Sequence, residues 1–101
     1  MLMTTRKPAS VGEILIEEFM RPMGLTQIAL AEAMGVPRKH VNELCNDRRT
    51  VTASTALILA RVFGNSAEFW LNVQRRMDLW AATHSPGERA RIERARPLVA
   101  A

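Results

Sequence analysis

A chain of 101 residues holds one core and not two, and with aromatics at 5% and no Tyr, aliphatic side chains and six Met must fill it. Fourteen Lys and Arg against ten Asp and Glu leave a net charge of +4, a basic balance that favours a polyanionic partner. A single cysteine excludes an internal disulfide, and no apolar run has the pattern of a signal peptide or the length of a membrane span, so a cytoplasmic protein without a membrane partner is expected.

Residues 1–9, headed by Met1-Leu2-Met3, are expected to be a flexible N-terminus. Ser10-Val-Gly-Glu13 then has the Ser-x-x-Glu spacing of a capping box, in which hydroxyl and carboxylate each accept from an otherwise unpaired amide. It predicts a first helix from about Val11 to Met20, ended by Arg21-Pro-Met-Gly24. Next come two short apolar-periodic segments, Gln27 to Met34 and Pro37 to Asn46, divided by a Gly-Val-Pro turn. Ile28 and Ala31, with Leu30 and Met34 as further candidates, share one side of the first segment, and Pro37, Val41, Leu44 and Cys45 share one side of the second. Thr26 can cap the first of these helices, and Gly35 supplies the positive φ at its end. The pattern is a helix-turn-helix.

The outward face of the second segment carries Lys39, Asn42, Glu43 and Asn46, flanked by Arg38 and His40, with Arg48 and Arg49 just beyond its end. Arg and Lys can donate to guanine edges, Asn pairs with adenine and Glu accepts from cytosine, so Arg38, Lys39, Asn42 and Glu43 are the expected base readers of duplex DNA. Gln27 at the mouth of its helix, together with His40, Arg48 and Arg49, is expected to hold phosphates.

Thr52 caps a fourth helix closing at Gly64, with Ala56, Leu59, Ala60 and Phe63 on its core face. A long, apolar fifth helix follows from Ser66 to about Ala82. Phe69, Trp70, Val73, Met77 and Trp80 lie on one broad stripe of it, with Leu71 and Leu79 off that stripe. So much apolar surface exceeds what this small a domain can cover, and a self-complementary two-fold contact through those five residues is expected. Ser85-Pro-Gly-Glu88 predicts another capping box, opening a marginal, Arg-rich helix to about Ala95 and a frayed end. The expected organisation is a helix-turn-helix and dimerisation domain over 10–82 and a C-terminal extension over 83–101.

Catalytic or metal chemistry finds little support. Cys45, His40 and His84 lack zinc-site spacing, and on one helix His40 and Cys45 diverge by about 140° at ~3.6 residues per turn. There is no glycine-rich phosphate loop, so neither enzyme activity nor a cofactor is expected.

The sequence resembles the HigA-type (VapI-like) antitoxins of the Xre helix-turn-helix family over about Val11 to Ala81. The resemblance rests on Gly-Glu-Ile-Leu at 12 to 15, Leu-Ala-Glu-Ala-Met-Gly at 30 to 35, Asp-Arg-Arg-Thr-Val-Thr at 47 to 52 and Ala-Leu-Ile-Leu-Ala at 56 to 60. It rests above all on Glu-Phe-Trp-Leu-Asn-Val-Gln at 68 to 74 with Asp78-Leu79. It implies an all-α, five-helix, lambda-repressor-like domain with a long fifth helix and a short C-terminal extension. It also implies a homodimer that represses its own operon and neutralises a HigB-type toxin, a ribosome-dependent mRNA endonuclease. Glu13, Glu17 and Glu18 on the first helix are a candidate toxin surface; a phage-type repressor without a toxin is the alternative. Three positions depart from the family pattern: Ser10-Val11 stands for His-Pro, Asp47 for a glycine, and Met77 for an aromatic.

Overall fold

In the computed structural model, residues 6–99 are described, so most of the expected flexible N-terminus and the last two residues of the C-terminal extension lie outside them. The described residues form six helices and no strand. The first, α1, is a continuous run of three stretches, Val11–Ile14, a π-helical Leu15–Met20, and Arg21–Met23. It therefore outlasts the expected end at Met20 and carries Pro22 inside it. Pro22 has no N–H and its ring would crowd the carbonyl one turn back. The wider turn ahead of it, closed by the Arg21 amide donating to the Ile16 carbonyl, gives that ring room. Gly24 then ends the helix in the left-handed conformation.

The next four helices are α2 (Gln27–Met34), α3 (Arg38–Cys45), α4 (Ala53–Phe63) and α5 (Ala67–His84), followed by α6 (Pro86–Arg94). Thr26, Thr52 and Ser66 cap α2, α4 and α5, each side chain accepting from an amide of the first turn. At Ser85 the expected capping box is absent: its side chain accepts no amide, and Glu88 instead accepts from Arg91. Every residue from Pro86 to Val99 is exposed.

Packing places α2 on α3, α4 along α5, and α1 across the end of α3 and against α5. Leu15, Leu30, Val41, Leu44, Ala56, Leu59 and Trp70 are sealed completely at the centre. Phe19, Phe63, Phe69 and Trp70 make one aromatic cluster beside them, with the Phe19 and Phe63 ring centroids 4.8 Å apart and Phe69 edge-on to Trp70 at 5.0 Å. The Trp70 indole donates to Asn65 Oδ1 at 2.9 Å, satisfying its one polar atom.

Two expected core positions are corrected. Ile28 is 57% exposed, because Leu30, Ala31 and Met34 make the buried face of α2. Apart from Gln27 and Glu32 this helix is apolar on every side, so spacing alone does not select its inner face. Pro37 lies outside α3 as its extended N-cap and is exposed, leaving Val41, Leu44 and Cys45 as the buried stripe.

Candidate nucleic-acid interface

The recognition helix α3 is held at both ends. At its start, Gly35 adopts φ 70°, the left-handed conformation that a residue with a Cβ enters at a cost, and this turns the chain from α2 to α3. At its end, Asp47 adopts φ 57°, the only non-glycine residue with positive φ among those described. Aspartate tolerates this conformation better than most residues, and here its carboxylate also ties α3 to α1. Oδ1 accepts from the Gly12 amide at 2.9 Å and Oδ2 from the Ser10 hydroxyl at 2.7 Å. Ser10 Oγ meanwhile accepts from the Glu13 amide, and Glu13 Oε1 accepts from the Ser10 amide, completing the expected capping box. The departure from glycine at Asp47 and the departure at Ser10 are thus one compensating network. Substituting Asp47→Gly should relieve the backbone but leave Gly12 and Ser10 without their acceptor. A net loss of about 1–2 kcal/mol is expected in urea denaturation, since losing a charged cap outweighs the strain relieved.

The segment after α3 is tied down from the other side. Gln74 on α5 accepts from the Val51 amide at 3.0 Å and donates to Asp78 at 2.9 Å. The Gln74 and Asp78 of the fifth-helix signature therefore fix the strap that leads out of the recognition helix.

With its inner stripe buried, α3 presents Arg38, Lys39, Asn42 and Asn46 to solvent, and Arg38, Lys39 and Asn42 line one shallow depression. Gln27, from the first turn of α2, reaches this surface: Asn42 Nδ2 donates to Gln27 Oε1 at 3.2 Å. That bond fixes the amide orientations, leaving Gln27 Nε2 as a donor and Asn42 Oδ1 as an acceptor for a ligand. Arg48 is exposed just past the helix.

Other expected site residues stand differently. Glu43 is paired through one oxygen, since Arg49 Nη2 and Nε both reach its Oε1, at 2.7 and 2.9 Å, and Arg49 is correspondingly not a free cation. His40 is half-buried with its Nε2 enclosed and unbonded. Burial first, then the Arg49 guanidinium, holds the His40 ring below its usual pKa, against a smaller opposing pull from Glu43. With Nε2 enclosed, His40 does not offer that nitrogen to a phosphate in this conformation. Cys45 behaves as a core residue whose thiol pKa is pushed up by burial and by Asp47.

The expected two-fold contact on the fifth helix divides. Trp70 is 0% and Val73 4% exposed, both inside the chain's own core, so neither can meet a second copy without opening it. Phe69, Met77 and Trp80 stay partly accessible, with Leu79 exposed beside them. Trp80 stacks on His84 at 4.2 Å, with the Lys7 ammonium 5.9 Å from its ring centroid. Of the three carboxylates of α1, Glu13 is engaged in the capping box and Glu17 pairs with Arg21 at 2.7 Å, while Glu18 is exposed. No helix among the described residues is long and apolar enough to cross a membrane.

Against known proteins, residues 16–70 match the helix-turn-helix family. The chain is 50% identical over 89 residues to antitoxin HigA-1 of Vibrio cholerae, covering 88% of this chain and 84% of that one. Among solved structures it is similar to antitoxin GraA in complex with its operator, at a TM-score of 0.85 and 39% identity over 99% of this chain and 100% of that one. It is also similar to Pseudomonas aeruginosa antitoxin HigA with the higBA promoter, at a TM-score of 0.81 and 34% identity over 91% and 99% of the two chains.

Proposed function

The chain belongs to the HigA-type antitoxins of the helix-turn-helix family, a family of regulators and not of enzymes, and from that premise we propose that it binds its own operator as a sequence-specific homodimer and neutralises a HigB-type mRNA endonuclease. The observation that carries the DNA reading is the exposed ridge of Arg38, Lys39 and Asn42, with Gln27 fixed against Asn42 on the same surface. An α-helix fits the major groove, where Arg and Lys donate to guanine and the Gln27–Asn42 pair offers the donor and acceptor that an adenine edge requires. The free amides of the first turn of α2 and the Arg48 guanidinium take the flanking phosphates. Two such helices related by a two-fold axis demand an inverted repeat with half-site centres about 34 Å apart, or a multiple of that. A protein acting on its own operon works in the cytoplasm.

Anisotropy titrations with the duplex upstream of its own gene test this. Arg38→Ala is expected to cost roughly 1–3 kcal/mol and to relax preference at one base position, whereas Arg48→Ala should weaken all sequences alike and reduce the salt slope by about one. Operator preference untouched by Arg38→Ala would remove that residue from base reading.

Phe69, Met77 and Trp80, with exposed Leu79 beside them, remain the proposed two-fold contact. Trp80→Ala should sediment as a monomer at concentrations where the wild type is a dimer; an unchanged dimer places the contact elsewhere. The toxin is tested by affinity capture from the source lysate. Co-purification of a small basic ribonuclease supports the antitoxin role, and its absence supports a stand-alone repressor.

A further inference from the structure

The Glu43–Arg49 pair sits on the DNA-facing side of the recognition helix, yet it joins a residue suited to reading a base to one suited to holding a phosphate. Both Nη2 and Nε of Arg49 converge on the same Glu43 oxygen, and the Glu43 side chain is only 25% exposed while that of Arg49 is 44% exposed. While the pair persists, the Arg49 charge is offset by Glu43, so Arg49 does not meet a phosphate as a free cation. The second oxygen of Glu43 holds no hydrogen bond and no other cation among the described residues, so Arg49 is what neutralises this carboxylate.

We propose that Glu43 and Arg49 form a latch that makes one phosphate contact conditional on the correct base. The proposal rests on the DNA-binding reading above and extends it to how operator is told from bulk DNA. Against an arbitrary duplex, the closed pair withholds one cation from the backbone. Opening it there would leave a carboxylate facing a polyanion with nothing to accept from, so phosphate contacts alone do not open it. A cytosine opposite Glu43 changes the balance, because its amino group donates to the carboxylate and weakens its hold on Arg49. Arg49 is then free to swing to a phosphate, and the affinity gained appears only at sites with that base. Glu43 thereby acts by repelling wrong sequences as well as by accepting from the right one.

The test uses the full-length wild type, Glu43→Gln, and Glu43→Gln/Arg49→Ala, each checked for helix content by circular dichroism. Two labelled duplexes serve as probes: the region upstream of the protein's own gene and a scrambled sequence of equal composition, over about 50–200 mM salt. Glutamine keeps the shape of glutamate and removes its charge. E43Q should bind the scrambled duplex about three- to tenfold more tightly, its log–log salt slope should steepen by about one per protomer, and its operator-to-scrambled ratio should fall. Adding Arg49→Ala should return the slope to the wild-type value. If the wild type prefers its operator but E43Q leaves the scrambled affinity and slope unchanged, the latch is refuted and the DNA reading stands. If the wild type shows no operator preference, the DNA reading fails and the latch with it.

Discussion

Trp70→Ala is expected to remove about 3–5 kcal/mol of folding stability, the largest single loss in the molecule. The indole is completely enclosed, touches the Phe19, Phe63 and Phe69 rings, and has its N–H bonded to Asn65. Truncation empties the centre of that cluster and strands the Asn65 acceptor. Domains of this kind are stable by only about 5–15 kcal/mol, so such a loss is a large fraction of the total. The denaturant midpoint should fall sharply with the slope unchanged, and Trp70→Phe should recover most of the loss by refilling the volume. A Trp70→Ala variant with near wild-type stability but altered sedimentation would instead return this residue to a subunit contact.

Gly12→Ala is the second large effect, and it reaches the DNA surface as well as stability. A Cβ at Gly12 would overlap the Cys45 carbonyl oxygen and lie 2.9 Å from that of Leu44. Both are backbone atoms at the end of the recognition helix, so no side chain can rotate to make room. Over-packing in a well-filled core typically costs about 1–3 kcal/mol, and a clash with backbone on both counts belongs at the upper end. The movement that relieves it separates the start of α1 from the end of α3, which also lengthens the Gly12–Asp47 and Ser10–Asp47 bonds. Gly12→Ala should therefore lose operator affinity in the fraction that remains folded, and its amide spectrum should change along 42–48. A fully stable variant with wild-type operator binding would mean that α1 can shift without dragging α3.

The helix-turn-helix is legible in the sequence because its signals are local. Thr26, Gly35 and the Val41–Leu44–Cys45 stripe each act within a turn or two of their own position, and the capping box at Ser10 likewise needs only Glu13. What escapes the sequence depends on residues far apart along the chain. The stripe from Trp70 to Trp80 is continuous in sequence, but α4 is eleven residues long and α5 eighteen, or roughly 16 and 27 Å at ~1.5 Å per residue. By length, α4 can accompany no more than about eleven residues of α5. That is why Trp70 and Val73 are sealed while Met77 and Trp80 are half-covered, a division that periodicity does not contain. Asp47 reads locally as an unfavourable replacement for glycine; its carboxylate becomes intelligible only when α1, 35 residues earlier at Gly12, is seen against it. The pairing of Glu43 with Arg49 is similar, since two residues suited to two different contacts with DNA meet each other six positions apart. His40 gives no burial signal in the sequence, as a lone polar residue at a helix flank looks the same whether it faces water or protein.

Amide chemical-shift mapping with the duplex upstream of the protein's own gene tests most directly whether the ridge of α3 enters DNA. The largest perturbations are expected at Gln27 and across Arg38 to Arg49, saturating at one dimer per inverted repeat and weakening with added salt. Perturbations confined to α1 or α5, or none at low ionic strength, would contradict it.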